Sequence, residues 1–141
     1  MMVPNKKHFA ISFVAKHKFL CPMLEWIGSH LKTSGLPDIQ IRRMELALEE
    51  ALVNIISYAY PKKQGMIELK YIHKAGECIE FHIKDWGKPF NPLKQKKYSL
   101  PTTLETKQEG GLGIFFIRKM VSKIEYTRYH EMNILILKKN F

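Results

Sequence analysis

Ile67-Glu68-Leu69-Lys70-Tyr71-Ile72-His73-Lys74-Ala75-Gly76-Glu77-Cys78-Ile79-Glu80-Phe81-His82-Ile83 is the stretch on which the fold turns. Ile67, Leu69 and Tyr71 alternate with Glu68 and Lys70; Ile79, Phe81 and Ile83 alternate with Glu80, His82 and Lys84. A period of two sends successive side chains to opposite faces, so each run reads as a strand with one wet face. Ala75-Gly76 between them reads as the turn of a hairpin. Upstream, Lys62 to Gly65 is another turn, preceded by a helix from about Ile39 to Tyr58 that must stop before Pro61. Asp38 can cap that helix. Ser34-Gly35-Leu36-Pro37 separates it from an earlier helix, Phe19 to Thr33, whose stripe is Leu20, Leu24, Ile27 and Leu31. Phe9, Ile11 and Phe13 alternate in a first strand.

Downstream the periodicity vanishes between Gly87 and Gly111, a long, polar, Lys-rich loop of the kind that is functional or mobile. A short helix from about Leu112 to Val121 and two strands, Ile124–Arg128 and Ile134–Leu137, complete the chain. Strands in hairpins with helices grouped between them predict an α+β two-layer sandwich.

The chain's 141 residues fit one domain, 1–141, and 45% hydrophobic content is enough for a core. There is no apolar run of spanning length and no secretory signal, so the expectation is a cytoplasmic protein with no membrane partner. The formal charge of +10 suits a nucleic acid, an anionic surface, an acidic protein or a nucleotide, and no segment is a pure basic tail. No helix-turn-helix or aromatic stacking pattern supports direct nucleic-acid binding. Cys21 and Cys78 lack CxxC spacing and read as buried free thiols. The histidines form no metal-ligating pair.

Three constellations carry chemistry. Glu50 and Asn54 sit one turn apart on the second helix, beside an apolar stripe of Met44, Leu48, Ala51, Leu52, Ile55 and Ala59. They read either as a solvated helix face or as a half-buried pair. In the second reading the amide oxygen suits Mg²⁺ and the carboxylate takes a proton from a hydroxyl or water. Asp85-Trp86-Gly87-Lys88-Pro89-Phe90 follows a strand end. It is either an ordinary turn or a site where Asp85 accepts from an exocyclic amine, Gly87 allows close backbone approach, and Pro89 and Phe90 wall a slot for a flat base. Glu109-Gly110-Gly111-Leu112-Gly113-Ile114 runs into a helix, where free backbone N–H groups and the helix N-terminus favour an anion. It is neither a Walker A loop nor a Rossmann fingerprint.

Taken in order, ExxxN on a helix, DxGxPF after a strand and GGxG opening a helix resemble the GHKL superfamily of Bergerat-fold ATPases. The likeness is greatest to its anti-sigma-factor branch, the serine kinases of bacterial partner switching. Leu46 to Asn54 looks like that branch's N box, Asp85 to Pro92 its first glycine box, Gly110 to Met120 its second, and Asn133 to Leu137 its last strand. The resemblance implies a mixed, mostly antiparallel sheet with helices on one face. It implies Glu50 as general base, Asn54 as Mg²⁺ ligand, Asp85 on the adenine amino group and Gly87 beneath the base. Gly110, Gly111, Leu112 and Gly113 match the phosphate loop, and residues 91–109 match a flexible ATP lid, with Lys94, Lys96, Lys97 and Lys107 as candidates to reach phosphate. Two departures stand out: Tyr58 occupies a position where many relatives are polar, and the last strand lacks the Gly-Thr pair some branches use near adenine.

The implied activity is phosphoryl transfer from ATP to a serine or threonine of a partner, an anti-sigma antagonist of STAS type, with a sigma factor as the regulated protein and a homodimer as the common assembly. The alternative is a non-catalytic, nucleotide-dependent module that sequesters a regulator. A histidine-kinase ATPase domain is disfavoured by the lack of room for a phosphoacceptor domain before His8, so the acceptor is expected on another chain.

Overall fold

The computed structural model describes residues 5–94 and 117–141. The period-two segments pair along their whole length. β1 (Lys6–Val14), β2 (Met66–Lys74), β3 (Cys78–Asp85), β4 (Lys123–Tyr129) and β5 (Met132–Asn140) make one sheet, ordered β1-β2-β3-β5-β4. The mostly antiparallel sheet with helices on one face is present, and every ladder among the described residues is antiparallel, with no parallel pair among them. The reason lies in the last hairpin. β4 runs in the same direction as β3, but β5 lies between them, so no two neighbours run parallel. The β2–β3 hairpin closes through Gly76 at φ +73°, a conformation that favours glycine, and the Glu77 N–H donates to the Lys74 carbonyl at 3.0 Å.

Two helices, α1 (Leu20–Lys32) and α2 (Asp38–Tyr58), pack on one face of the sheet. Met23, Ile27 and Leu31 of α1 and Met44, Ala47, Leu48, Ala51 and Leu52 of α2 are buried there. They meet Leu69, Phe81, Ile83 and Leu137, which the register places on a common face. Each such Leu, Ile or Phe stabilises the fold by roughly 1.5–3 kcal/mol relative to exposure. Asp38 does not cap α2. Pro37 holds the N-cap position with no side-chain cap bond, and its carbonyl takes the Gln40 and Ile41 N–H groups at 2.9 and 3.0 Å. Asp38 falls in the first turn, where its charge still favours the helix dipole.

The outer face of the hairpin is less wet than the alternation implies. Ile72 and Glu80 are buried on it, and Glu80 pairs with Lys74 at 2.6 Å and His82 at 3.0 Å. Both cysteines are free; Cys78 is buried, but Cys21 is exposed on the solvent side of α1, with Glu25. Among the described residues no helix is long and apolar enough to cross a membrane.

Candidate functional site

The C-terminal half of α2 and the adjoining ends of β3 and β5 form a cleft containing about 490 Å³ of open space. Its walls come from Ala51, Ile55 and Ala59 of the α2 segment and from Leu135 and Ile117, with Phe90 at one side. The polar groups are few: Asn54, Tyr58, Asp85, Lys88, Tyr126 and Asn133. An apolar slot with a small number of aimed polar groups is the usual form of a small-molecule site.

Asp85 is the decisive residue. The alternation Ile79, Phe81, Ile83 carries it onto the core-facing side of β3, where it is 3% exposed. Directly across the ladder stands Asn133, itself buried. The Asn133 amide nitrogen donates to Asp85 Oδ1 at 2.9 Å, and the Gly87 N–H donates to the same oxygen at 2.9 Å. Burial pushes the Asp85 carboxyl above its ordinary value of 3.8, opposed by the Asn133 and Gly87 hydrogen bonds and by the nearby Arg128 charge. A carboxylate held this way is an acceptor that stays in place, at a cost in desolvation.

The loop after β3 is clamped from three sides. The Lys88 N–H donates to the Ala59 carbonyl at 3.1 Å. The Trp86 N–H donates to the Tyr60 hydroxyl at 2.7 Å, and that hydroxyl donates to the Met66 carbonyl at 2.6 Å. Arg128 Nη1 donates to the Gly87 carbonyl at 2.8 Å. Gly87 passes so close to the end of α2 that a Cβ on it would lie 2.3 Å from the Ala59 oxygen. Its requirement is room, since its φ is not positive.

Asn54 and Asp85 therefore line one cleft, with Gly87 at its edge against α2. Tyr58 is a wall residue, as is Phe90. Pro89 is exposed and outside the lining. Glu50 is exposed on α2, one turn before Asn54, and does not line the cleft. Of the two readings of the pair, the half-buried one holds for Asn54 and the solvated one for Glu50. Gly110, Gly111, Leu112 and Gly113 lie outside the described residues, as do Lys96, Lys97, Lys107 and most of the lid segment 91–109. Of that segment, a 3-10 turn at Pro92–Lys94 is described, opened by Asn91, whose side-chain oxygen accepts the Leu93 N–H at 2.9 Å.

Asn133, Tyr126 and Arg128 were not legible as site residues from the sequence alone. The available signal was a polar residue, Asn133, at a position where Leu135 and Leu137 set an apolar face.

The fold is that of an ATPase domain of the histidine-kinase type. Residues 13–139 match the family model for the histidine kinase-like ATPase domain, and the chain belongs to that family, on the anti-sigma-factor kinase branch of the GHKL superfamily. A serine-protein kinase RsbW from Bacillus cereus is 28% identical over 142 positions, covering 97% of this chain and 88% of its own length. The protein of that name from Bacillus thuringiensis subsp. konkukian is 29% identical over 109 residues, 74% of this chain and 67% of its own. That of Bacillus mycoides is 29% identical over 100 residues, 67% and 61% respectively.

Proposed function

We propose that the chain, 1–141 acting as one nucleotide-binding unit, binds ATP in this cleft and phosphorylates a serine or threonine on a partner protein of anti-sigma-antagonist (STAS) type, so regulating a sigma factor. The observation that carries the reading is the buried Asp85 carboxylate at the floor of an apolar slot. A flat base with an exocyclic amine satisfies both halves of that site: the amine donates to Asp85 and the ring replaces water against Ile55 and Leu135. The donor set also fits magnesium in part, because Asn54 offers a neutral oxygen at the cleft from the helix side. A bound magnesium ion supplies charge neutralisation at the phosphates.

The remaining work falls to the chain. Gly110 to Gly113 offer backbone N–H groups to the phosphates. Glu50 accepts the proton of the acceptor hydroxyl as its oxygen forms a bond to the γ-phosphorus and the bond to the β-phosphate oxygen breaks, leaving ADP. Little covalent help is needed in such a transfer; alignment and charge stabilisation dominate.

One observation favours the second reading, a nucleotide-dependent binding module without transfer: Glu50 is exposed and outside the cleft lining. Native mass spectrometry with Mg-ATP, followed by phosphate transfer to proteins recovered by pull-down, separates the two. Transfer that survives in wild type and drops at least ~100-fold in Glu50→Gln, with ATP binding retained, supports the kinase. Partner capture with no phosphate on any acceptor supports the module. Undiminished transfer in Glu50→Gln removes Glu50 from the mechanism.

A further inference from the structure

The Asp85 carboxylate does not stand alone. On β5, Asn133 spends every side-chain group on one arrangement. One Nδ2 hydrogen goes to Asp85 Oδ1 at 2.9 Å, and the other to the Lys88 carbonyl at 2.9 Å. Its Oδ1 accepts from the Tyr126 hydroxyl on β4. The Lys88 carbonyl only accepts, so it fixes which end of the amide is nitrogen; a flipped amide would set oxygen against both that carbonyl and the carboxylate. Tyr126 holds the opposite end. The consequence falls on Asp85. Both hydrogen bonds described for its carboxylate, from Asn133 and from the Gly87 N–H, converge on Oδ1, and Oδ2 takes neither.

We propose that Asn133, locked by Tyr126, is the positioning residue that keeps Asp85 oriented with a bare acceptor toward the cleft, and that this selects a purine with a 6-amino group over one with a 6-oxo group. The inference rests on the ATP reading above and adds the device that gives the site its choice of base. A 6-amino group donates to a carboxylate oxygen. A 6-oxo group presents a second acceptor to it and is rejected, because a buried acceptor facing an acceptor leaves both unpaired. If Asp85 is free to rotate, or to carry a proton on the outward oxygen, that rejection weakens. Burial already favours the proton, and the Asn133 and Gly87 hydrogen bonds and the Arg128 charge oppose it. Asn133 supplies the strongest opposing hydrogen bond.

The test compares ATP with inosine triphosphate, which differs at the 6-position and at the N1 proton, by calorimetric titration of wild type, Tyr126→Phe and Asn133→Leu. Wild type is expected to prefer ATP by ~100-fold or more, as sites built around one hydrogen bond do. Asn133→Leu should lose ~10-fold or more in ATP affinity while inosine triphosphate is unchanged or tighter, so the ratio narrows; Tyr126→Phe should narrow it by a few-fold. A merely structural role lowers both nucleotides alike and leaves the ratio intact, which overturns the proposal. So does a wild type that binds both equally. Should Asn133→Leu fail to fold, Tyr126→Phe, which deletes one oxygen and keeps the ring, carries the test. Wild type binding ATP with an unchanged ratio in the variants refutes the positioning role alone. Wild type binding neither nucleotide refutes the ATP reading beneath it, and the proposal falls with it.

Discussion

Gly87→Ala probes the junction on which the cleft is built. A Cβ at Gly87 would sit 2.3 Å from the Ala59 oxygen, 2.7 Å from its carbonyl carbon and 2.7 Å from its Cβ, against an ordinary contact of 3.4 Å or more. About 1 Å must therefore open between the end of α2 and the loop after β3. No flexible side chain is there to yield, because two of the three contacts are backbone. Overpacking of this sort costs roughly 1–3 kcal/mol. The same displacement strains the Lys88 N–H to Ala59 carbonyl hydrogen bond, 3.1 Å in the native fold, and a stranded buried carbonyl costs about 1–3 kcal/mol. Together these give a loss of ~2–6 kcal/mol, or roughly 7–20 °C in Tm for a domain of this size. Urea unfolding followed by circular dichroism measures it, and ATP titration at a temperature where the variant is folded should show weaker binding, since Asp85 accepts from the Gly87 N–H. Gly28→Ala is the internal control. Nothing lies within 4 Å of a Cβ there, so the same substitution in the middle of α1 should stabilise by ~0.5–1 kcal/mol through helix propensity. A Gly87→Ala midpoint within ~0.5 kcal/mol of wild type would refute the argument from close approach.

Two further outcomes follow from burial. Because the folded-state pKa of Asp85 is raised above its ordinary 3.8, the native state binds the proton more tightly than the unfolded chain, and the associated stability is present at low pH and lost as pH rises through the raised value. Asp85→Asn removes that titration and keeps an oxygen for the Asn133 and Gly87 donors, so the variant should gain stability relative to wild type as pH rises above about 4 in paired denaturation curves, while adenine nucleotide affinity falls; a constant difference from pH 4 to 7 would count against the buried, titrating carboxylate. The Tyr71 hydroxyl is buried with no hydrogen-bond partner among the described residues, and burial pushes its pKa up to about 12. Tyr71→Phe should therefore be neutral or stabilising by up to ~1 kcal/mol in urea titration, and a loss above ~1 kcal/mol would mean that the hydroxyl has a partner.

The elements of this protein are written locally. Alternation in 67–71 and 79–83 is enough to make strands, since a half-buried sheet accepts little else, and the apolar stripe from Met44 to Ala59 is enough to bury a helix. The order of ExxxN, DxGxPF and GGxG pointed to the ATPase family, because backbone room and acceptor chemistry must occur at set places along the chain. What the sequence alone left open is which groups meet. Glu50 and Asn54 are one turn apart, yet only Asn54 lines the cleft, because the curvature of packing against the sheet decides which side of a helix is enclosed. Asp85 and Asn133 are far apart in sequence and directly opposed in the ladder, since β5 enters between β3 and β4. That strand order, set by long-range pairing, is what turns two polar residues on apolar faces into a single oriented acceptor. Hydrogen-bond direction across a sheet has no local signature, and so Tyr126, Asn133 and Asp85 became one device only in the folded chain.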